Sequence, residues 1–348
     1  VSYINPPFRH TCQAKNKLGY TRKDYEGAMS TLCAGCGHDS ISAAILRSCF
    51  ELSIEPHNVA KISGIGCSSK TPAYFLKQSH GFNSVHGRMP SVTTGANLAN
   101  RHMTYLGVSG DGDTASIGLG QFAHVIRRNL NMLYIVENNG VYGLTKGQDS
   151  ATADVGSKSK GGVENRYEPV DMVTLALNLG ASFVARSFSG DKAQLVPLIK
   201  AGLHHTGFAL IDVISPCVTF NNTPGSTKSY SFVREHMAAL EAVDFVPEEE
   251  EIVADYTGST SIRMHDGSTL NLSKLRDHYN PQDKEAALDA LKDARLRDEL
   301  LTGLIYIDPE PRDLHTLLNT TETPLRNLDE KALCPGRKAL DGINAGAR

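Results

Sequence analysis

No tryptophan occurs among the 348 residues, no apolar run exceeds the length of a strand, and neither sign of charge dominates. A membrane-crossing helix needs about 18 or more consecutive apolar residues, so none is expected. With 35 Lys and Arg against 38 Asp and Glu, the formal net charge is −3, and no basic stripe interleaved with aromatics is present. That balance argues against a nucleic-acid partner. Residues 1–20 are polar and lack the apolar segment of a secretory signal, so the expected location is cytoplasmic. Seven cysteines are too few for a disulfide framework in a chain this long, and they read as thiols or metal ligands. There is no internal repeat and no low-complexity tract. A hydrophobic content of 40% does allow a sizeable core, either one large α/β domain with extensions or two modest domains.

The most informative stretch runs from Gly110 to Asn139. Residues 104–109 are strand-like, residues 115–129 have helical spacing in Ile117, Phe122, Val125 and Ile126, and residues 132–136 form a second apolar strand. In a right-handed strand-helix-strand unit both strands run the same way, so Asp111 and Asn139 emerge side by side at the carboxyl edge of a parallel sheet. A carboxylate beside an amide oxygen offers hard ligands to Mg²⁺, and the glycines of Gly110-Asp111-Gly112-Asp113 let backbone approach a phosphate. Amides opening the following helix face the same anion. Two ordinary turns are the plain alternative, since both segments are turn sequences.

Four cysteines share this geography. Cys33 and Cys36 lie on a glycine-rich turn ahead of a helix carrying Ile41, Ala44, Ile45 and Cys49, with Asp39 or Ser40 as its cap. At a helix N-terminus thiolates are favoured. Residues 59–63 read as a strand ending in Gly64-Ile65-Gly66-Cys67, and residues 207–214 as another ending at Ser215-Pro216-Cys217. If these strands join the same sheet, Cys67 and Cys217 reach the carboxyl edge too. One short pair plus two distant cysteines suits a cubane cluster better than zinc-finger spacing. A structural zinc site and unconnected core cysteines are the alternatives. Cys49 reads as core, and Cys12 and Cys334 as free thiols.

Elsewhere residues 1–31 read as an arm, residues 141–166 as a polar functional loop, and residues 172–179 and 192–205 as helices around a strand at 183–187. The doubly wound pattern ends near Cys217. Beyond it come an acidic surface run at 248–251, a hairpin around His265-Asp266-Gly267, an amphipathic helix over 283–302 stopped by Gly303, a short strand at 304–307 and a proline-rich tail placed against a partner. The chain thus divides into an arm (1–31), a cofactor domain (32–225) and a C-terminal extension (226–348). His124, His204 and His205 read as solvent-facing or packing residues.

The Gly-Asp-Gly to Asn-Asn arrangement resembles the thiamine-diphosphate motif, whose halves lie about 25 residues apart. Carried over, Asp111 and Asn139 would bind Mg²⁺ by side chain and Val141 by its carbonyl, with Gly112 and Asp113 against the diphosphate. Taken with Cys33-Ala-Gly-Cys36-Gly, Gly66-Cys67-Ser68-Ser-Lys70, His86-Gly-Arg88, Val141-Tyr142-Gly143-Leu144-Thr145-Lys146-Gly-Gln148 and Ser215-Pro-Cys217, the chain resembles the β subunit of 2-oxoacid:ferredoxin oxidoreductases. It is most similar to the 2-oxoglutarate type. Ala34-Gly35 and Leu32 depart from the usual proline and aromatic of the first motif without removing a ligand.

The resemblance implies a doubly wound, mostly parallel α/β sheet of the thiamine-diphosphate-binding fold, with Cys33, Cys36, Cys67 and Cys217 holding a [4Fe-4S] cluster. It implies cofactor contacts from Gly66, Cys67, Ser68, His86, Gly110, Gly112, Asp113, Gly143, Leu144 and Thr145. Lys70 and Lys146 are the candidates for the two carboxylates of 2-oxoglutarate. The implied reaction is oxidative decarboxylation of a 2-oxoacid to acyl-CoA, reversible in principle, with single electrons leaving through the cluster to ferredoxin. An α subunit supplies the glutamate that meets the aminopyrimidine, in a dimer of heterodimers. A pyruvate or broad-specificity relative, a non-redox thiamine decarboxylase or synthase subunit, and a cluster-bearing electron-transfer protein are the rival readings.

Overall fold

A computed structural model describes residues 14–246, 259–263, 269–274, 279–334 and 336–347. Cys12, the acidic run and the His265-Asp266-Gly267 turn lie outside the described residues. Strands β1 (Val59–Ser63), β2 (His80–Asn83), β3 (Thr104–Gly110), β4 (Met132–Asn138), β5 (Val141–Tyr142), β6 (Gln148–Asp149), β7 (Phe183–Phe188), β8 (Phe208–Ile214), β9 (Met237–Ala239), β10 (Glu241–Val246), β11 (Ser259–Arg263), β12 (Thr269–Lys274) and β13 (Leu300–Ile307) follow in chain order. Eight of them make the main sheet, in the order β2-β1-β3-β4-β8-β7-β13-β9. Its first six strands are parallel, and β13 runs antiparallel to β7.

Helices cover both faces, as strands buried on both sides require. The two-residue period of β4 states the arrangement directly. Leu133 and Ile135 point to one core with α1 (Gly37–Glu51). Met132, Tyr134 and Val136 point to the other. That second core takes in Phe122, Val125 and Ile126 from Leu119–Arg127, and Val173, Ala176 and Leu177 from Met172–Leu179. The doubly wound parallel sheet expected from the sequence is the fold observed.

Several boundaries differ from expectation, each for a tertiary reason. The first helix begins at Gly37 with Cys36 as its N-cap, ahead of the expected Asp39 or Ser40. Asp39 is engaged elsewhere, accepting from Ser30 Oγ at 2.6 Å. The segment expected as one helix over 115–129 is a wide turn at Gly112–Ile117 followed by Leu119–Arg127. The break at Gly118 comes where its amide bonds Asp113 O. The amphipathic helix covers Lys284–Leu296 and stops before Gly303. Leu300 to Thr302 form a strand instead, because pairing with Met237 to Ala239 on β9, continued by Gly303 beside Arg186 on β7, outweighs their helical spacing. This strand also carries the main sheet past residue 225, into the C-terminal third of the chain. The hairpin partners expected there are present as β11 and β12, antiparallel to each other beside β10.

Candidate active site

Strands β1, β3, β4 and β8 lie side by side and all end at the same edge, so the segments following them converge. Their meeting point is a cavity of about 90 Å³ lined by Gly66, Cys67, Ser68, His86, Asp111 and Asn139, among others. Gly110, Gly112, Asp113, Val141, Gly143, Leu144 and Thr145 line it as well. Every residue the sequence nominated for cofactor contact is therefore in this wall.

Asp111 is 1% exposed. Its Oδ2 accepts from Gly140 N at 3.1 Å, from Thr152 Oγ1 at 2.5 Å and from Ser150 Oγ. Among the described residues its Oδ1 has only a long contact, with Asn139 N at 3.4 Å. One carboxylate oxygen is thus fully bonded and the other is available to a cation. Asn139, 5% exposed, keeps its amide beside His38 Nε2 and accepts from Val141 N at 3.1 Å. Asp113 plays a different part. Its carboxylate accepts from Ile65 N, Gly87 N and Ser109 Oγ at 3.2, 2.8 and 2.6 Å, and it contacts His86 Nδ1. It knits the ends of β1 and β3 to the His86 loop, and four such partners leave it little to offer a diphosphate. A Cβ on Gly112 would stand 2.6 Å from the Tyr142 ring, so only glycine fits beside that tyrosine.

Polar groups of the cavity wall lack close hydrogen-bond partners among the described residues. Ser68 Oγ is one, and the buried carboxyl oxygens of Glu137, whose nearest polar neighbours are Thr71 and His38, are others. Buried polar groups in native proteins are nearly always satisfied, so a polar ligand suits this wall. Together with three hard oxygens from Asp111, Asn139 and Val141, the residues fit a Mg²⁺-diphosphate. Burial raises the Glu137 carboxyl well above the usual range. Burial likewise lowers His38 to about 4, leaving a neutral imidazole 2.5 Å from Ser215 Oγ and 3.7 Å from Glu137. Sequence reasoning missed both residues. His38 stands directly after the Cys36-Gly37 pair, and a lone Glu inside the apolar strand Met132–Asn138 was the readable signal.

The cysteines stand beside the same cavity. A Cβ on Gly143 would lie 3.4 Å from Cys67 Sγ and 3.6 Å from Cys217 Sγ, so a side chain there would meet both thiols. Thr219 Oγ1 donates to Cys33 Sγ at 3.5 Å. Cys36 is close enough to Cys67 and Cys217 to feel their charges. Burial pushes the Cys36 thiol up to about 12 and the Cys67 thiol up as well, so at Cys36 the helix terminus does not produce the thiolate expected from sequence. Among the described residues no three His, Cys, Asp or Glu side chains form a site for a single metal ion. A cubane separates its four thiolates more widely than one ion does, and bound iron displaces the thiol protons. Cys49 is core at 1% exposure, and Cys334 is exposed.

The two lysines are not in the cavity wall. Lys70 is near enough to Cys67 to favour its thiolate, while Lys146 is exposed with φ of +78° in the turn before Gly147.

The family model for the C-terminal thiamine-pyrophosphate-binding domain of thiamine pyrophosphate enzymes matches residues 64–213. The β subunit of 2-oxoacid:ferredoxin oxidoreductase 2 from Aeropyrum pernix is 42% identical over 191 residues, 55% of this chain and 61% of its own length. The chain spans 60% to 65% of the length of five such relatives. The 2-oxoglutarate synthase subunit KorB of Methanocaldococcus jannaschii is 36% identical over 241 residues, 67% of this chain and 87% of its own length. Among solved structures, a chain of the 2-oxoglutarate:ferredoxin oxidoreductase from Magnetococcus marinus, with 2-oxoglutarate, coenzyme A and succinyl-CoA bound, superposes with a TM-score of 0.72. It is 29% identical, and the match covers 90% of this chain and 94% of that one. By its sheet, its cavity and these relatives, the chain belongs to the β-subunit family of the 2-oxoacid:ferredoxin oxidoreductases.

Proposed function

We propose that this chain is the β subunit of a 2-oxoglutarate:ferredoxin oxidoreductase, working with an α subunit in a dimer of heterodimers in the cytoplasm. The observation that supports the reading is Cys67, which lines the cavity beside Gly143, where a Cβ would meet the thiols of both Cys67 and Cys217. An organic cofactor in that cavity would lie next to thiols able to bind iron. Thiamine diphosphate, when bound, stabilises the carbanion left as CO₂ departs from a 2-oxoacid. In this chain Asp111, Asn139 and Val141 would hold its Mg²⁺, and Ser68 and the backbone of Gly112 would meet its diphosphate. Cys33, Cys36, Cys67 and Cys217 would hold a [4Fe-4S] cluster that takes electrons one at a time for ferredoxin, with coenzyme A receiving the acyl group. A non-redox thiamine enzyme has no use for thiols at that distance.

The αβ complex, assayed anaerobically, should reduce ferredoxin only when 2-oxoglutarate and coenzyme A are both supplied. Reduction that ignores the 2-oxoacid would end this reading, and a preference for pyruvate would reject the substrate assignment. Lys146 belongs to the same test. It is an exposed cation on the loop that lines the cavity, and it would meet the distal carboxylate of a dicarboxylate substrate. Lys146→Ala should lower kcat/KM for 2-oxoglutarate much more than for pyruvate, a lost charged contact costing on the order of 2 kcal/mol. Equal losses would assign the lysine to the loop or the cofactor.

A further inference from the structure

Behind Asp111, on the sheet face opposite Glu137, buried polar side chains from three adjacent strands line up. Arg186 on β7 is registered opposite Asp212 on β8, which is opposite Val136 on β4. Asn138 follows two residues later on the same face. Arg186 Nε donates to Asp212 Oδ2 at 3.3 Å, and Asn138 Nδ2 donates to Asp212 Oδ1 at 3.0 Å. Asn138 Oδ1 is thereby turned to the Thr152 hydroxyl, 2.9 Å away, whose single proton is shared between that acceptor and the nearer Asp111 Oδ2 at 2.5 Å. At the far end Arg186 Nη2 reaches Asp171, whose side chain caps the helix Met172–Leu179. Thr152 and Asp212 are 1% exposed, Asn138 3% and Arg186 8%.

A buried arginine between two carboxylates carries a desolvation cost that an apolar residue would not, so packing alone does not account for it. The chain of contacts ends on the one oxygen of Asp111 that is saturated. We propose that Thr152, with Asn138, Asp212 and Arg186 behind it, positions Asp111. These residues fix Oδ2 inside the protein and leave Oδ1 turned toward a divalent cation. The proposal rests on the reading of Asp111 as a Mg²⁺ ligand, and it adds the residues that orient that ligand.

The test is Mg²⁺-dependent binding of thiamine diphosphate to the αβ complex, followed by calorimetry, with thermal melting to establish folding. Thr152→Val should raise the Mg²⁺ concentration needed for half-maximal binding by about tenfold, the range seen when partners of metal ligands are removed. Affinity for the cofactor at saturating Mg²⁺ should stay near wild type. Thr152→Ser, which restores the hydroxyl, should recover the Mg²⁺ dependence. The neutral pair Arg186→Gln with Asp212→Asn should weaken Mg²⁺ several-fold, and if it does not fold the two Thr152 variants decide alone. A folded Thr152→Val protein with wild-type Mg²⁺ dependence overturns the proposal, as does a loss that saturating Mg²⁺ does not repair. Asp111→Ala, run in parallel, separates the cases: if it too leaves the Mg²⁺ dependence unchanged, the metal assignment itself fails.

Discussion

Cys33→Ser or Cys217→Ser, purified anaerobically with its α subunit, should lose the brown colour and nearly all the iron that the wild-type β chain carries. The wild-type expectation is about four iron and four sulfide per chain, one cubane. The effect should be large because a cubane requires all four corners and a serine oxygen is a poor substitute for thiolate. The local environment sharpens the expectation. Cys36 is buried enough to push its thiol up to about 12, so without iron it holds its proton and the site has no reason to gather negative charge. Bound iron would supply the compensating charge, and the four thiolates would then depend on one another through it. Cys334→Ser should leave iron unchanged, since that residue is exposed near the end of the chain. Full iron in both the Cys33 and Cys217 variants would dismiss the cluster.

Asp111→Ala should reduce Mg²⁺-dependent thiamine diphosphate affinity by roughly 100-fold or more, because it deletes the only charged oxygen among the three proposed ligands. Two effects must be separated. The carboxylate also accepts from Gly140 N, Ser150 and Thr152, so alanine leaves buried donors unsatisfied and should cost about 1 to 3 kcal/mol of stability. Asp111→Asn, which keeps the shape and loses the charge, should bind Mg²⁺ almost as poorly while melting closer to wild type. Asn139→Ala should weaken the metal less, roughly tenfold, because a neutral amide oxygen is the weaker ligand. Unchanged affinity in all three variants would reduce the Gly-Asp-Gly and Asn-Asn segments to turns.

Much of this site was legible in the sequence because its parts are local and periodic. Apolar runs at 59–63, 104–109, 132–136 and 207–214 each announced a buried strand, and each is followed by a candidate site residue. A parallel sheet then brings Cys67, Asp111, Asn139 and Cys217 to one edge by topology alone. What escaped were residues whose meaning depends on a neighbour far along the chain. Thr152 lies in a polar loop like many others until it is found against Asp111. Arg186 looks like a strand residue until Asp212 is registered beside it. Asp113, in the middle of the motif, turns out to tie loops together rather than stand free.

The sequence by itself determined the central parallel strands, the chemistry of the candidate ligands and the edge of the sheet at which they lie, since these follow from periodicity and from the handedness of parallel connections. Only the tertiary structure decided where elements stop, which carboxylate oxygen is free, and which thiols are buried. Leu300 to Thr302 show the reason: their helical spacing is a weak local preference, and pairing with β9 together with burial of Leu301 and Thr302 outweighs it. Burial likewise overrides the helix-terminus preference at Cys36, because desolvation of a charge is a larger energy than the field of a helix end.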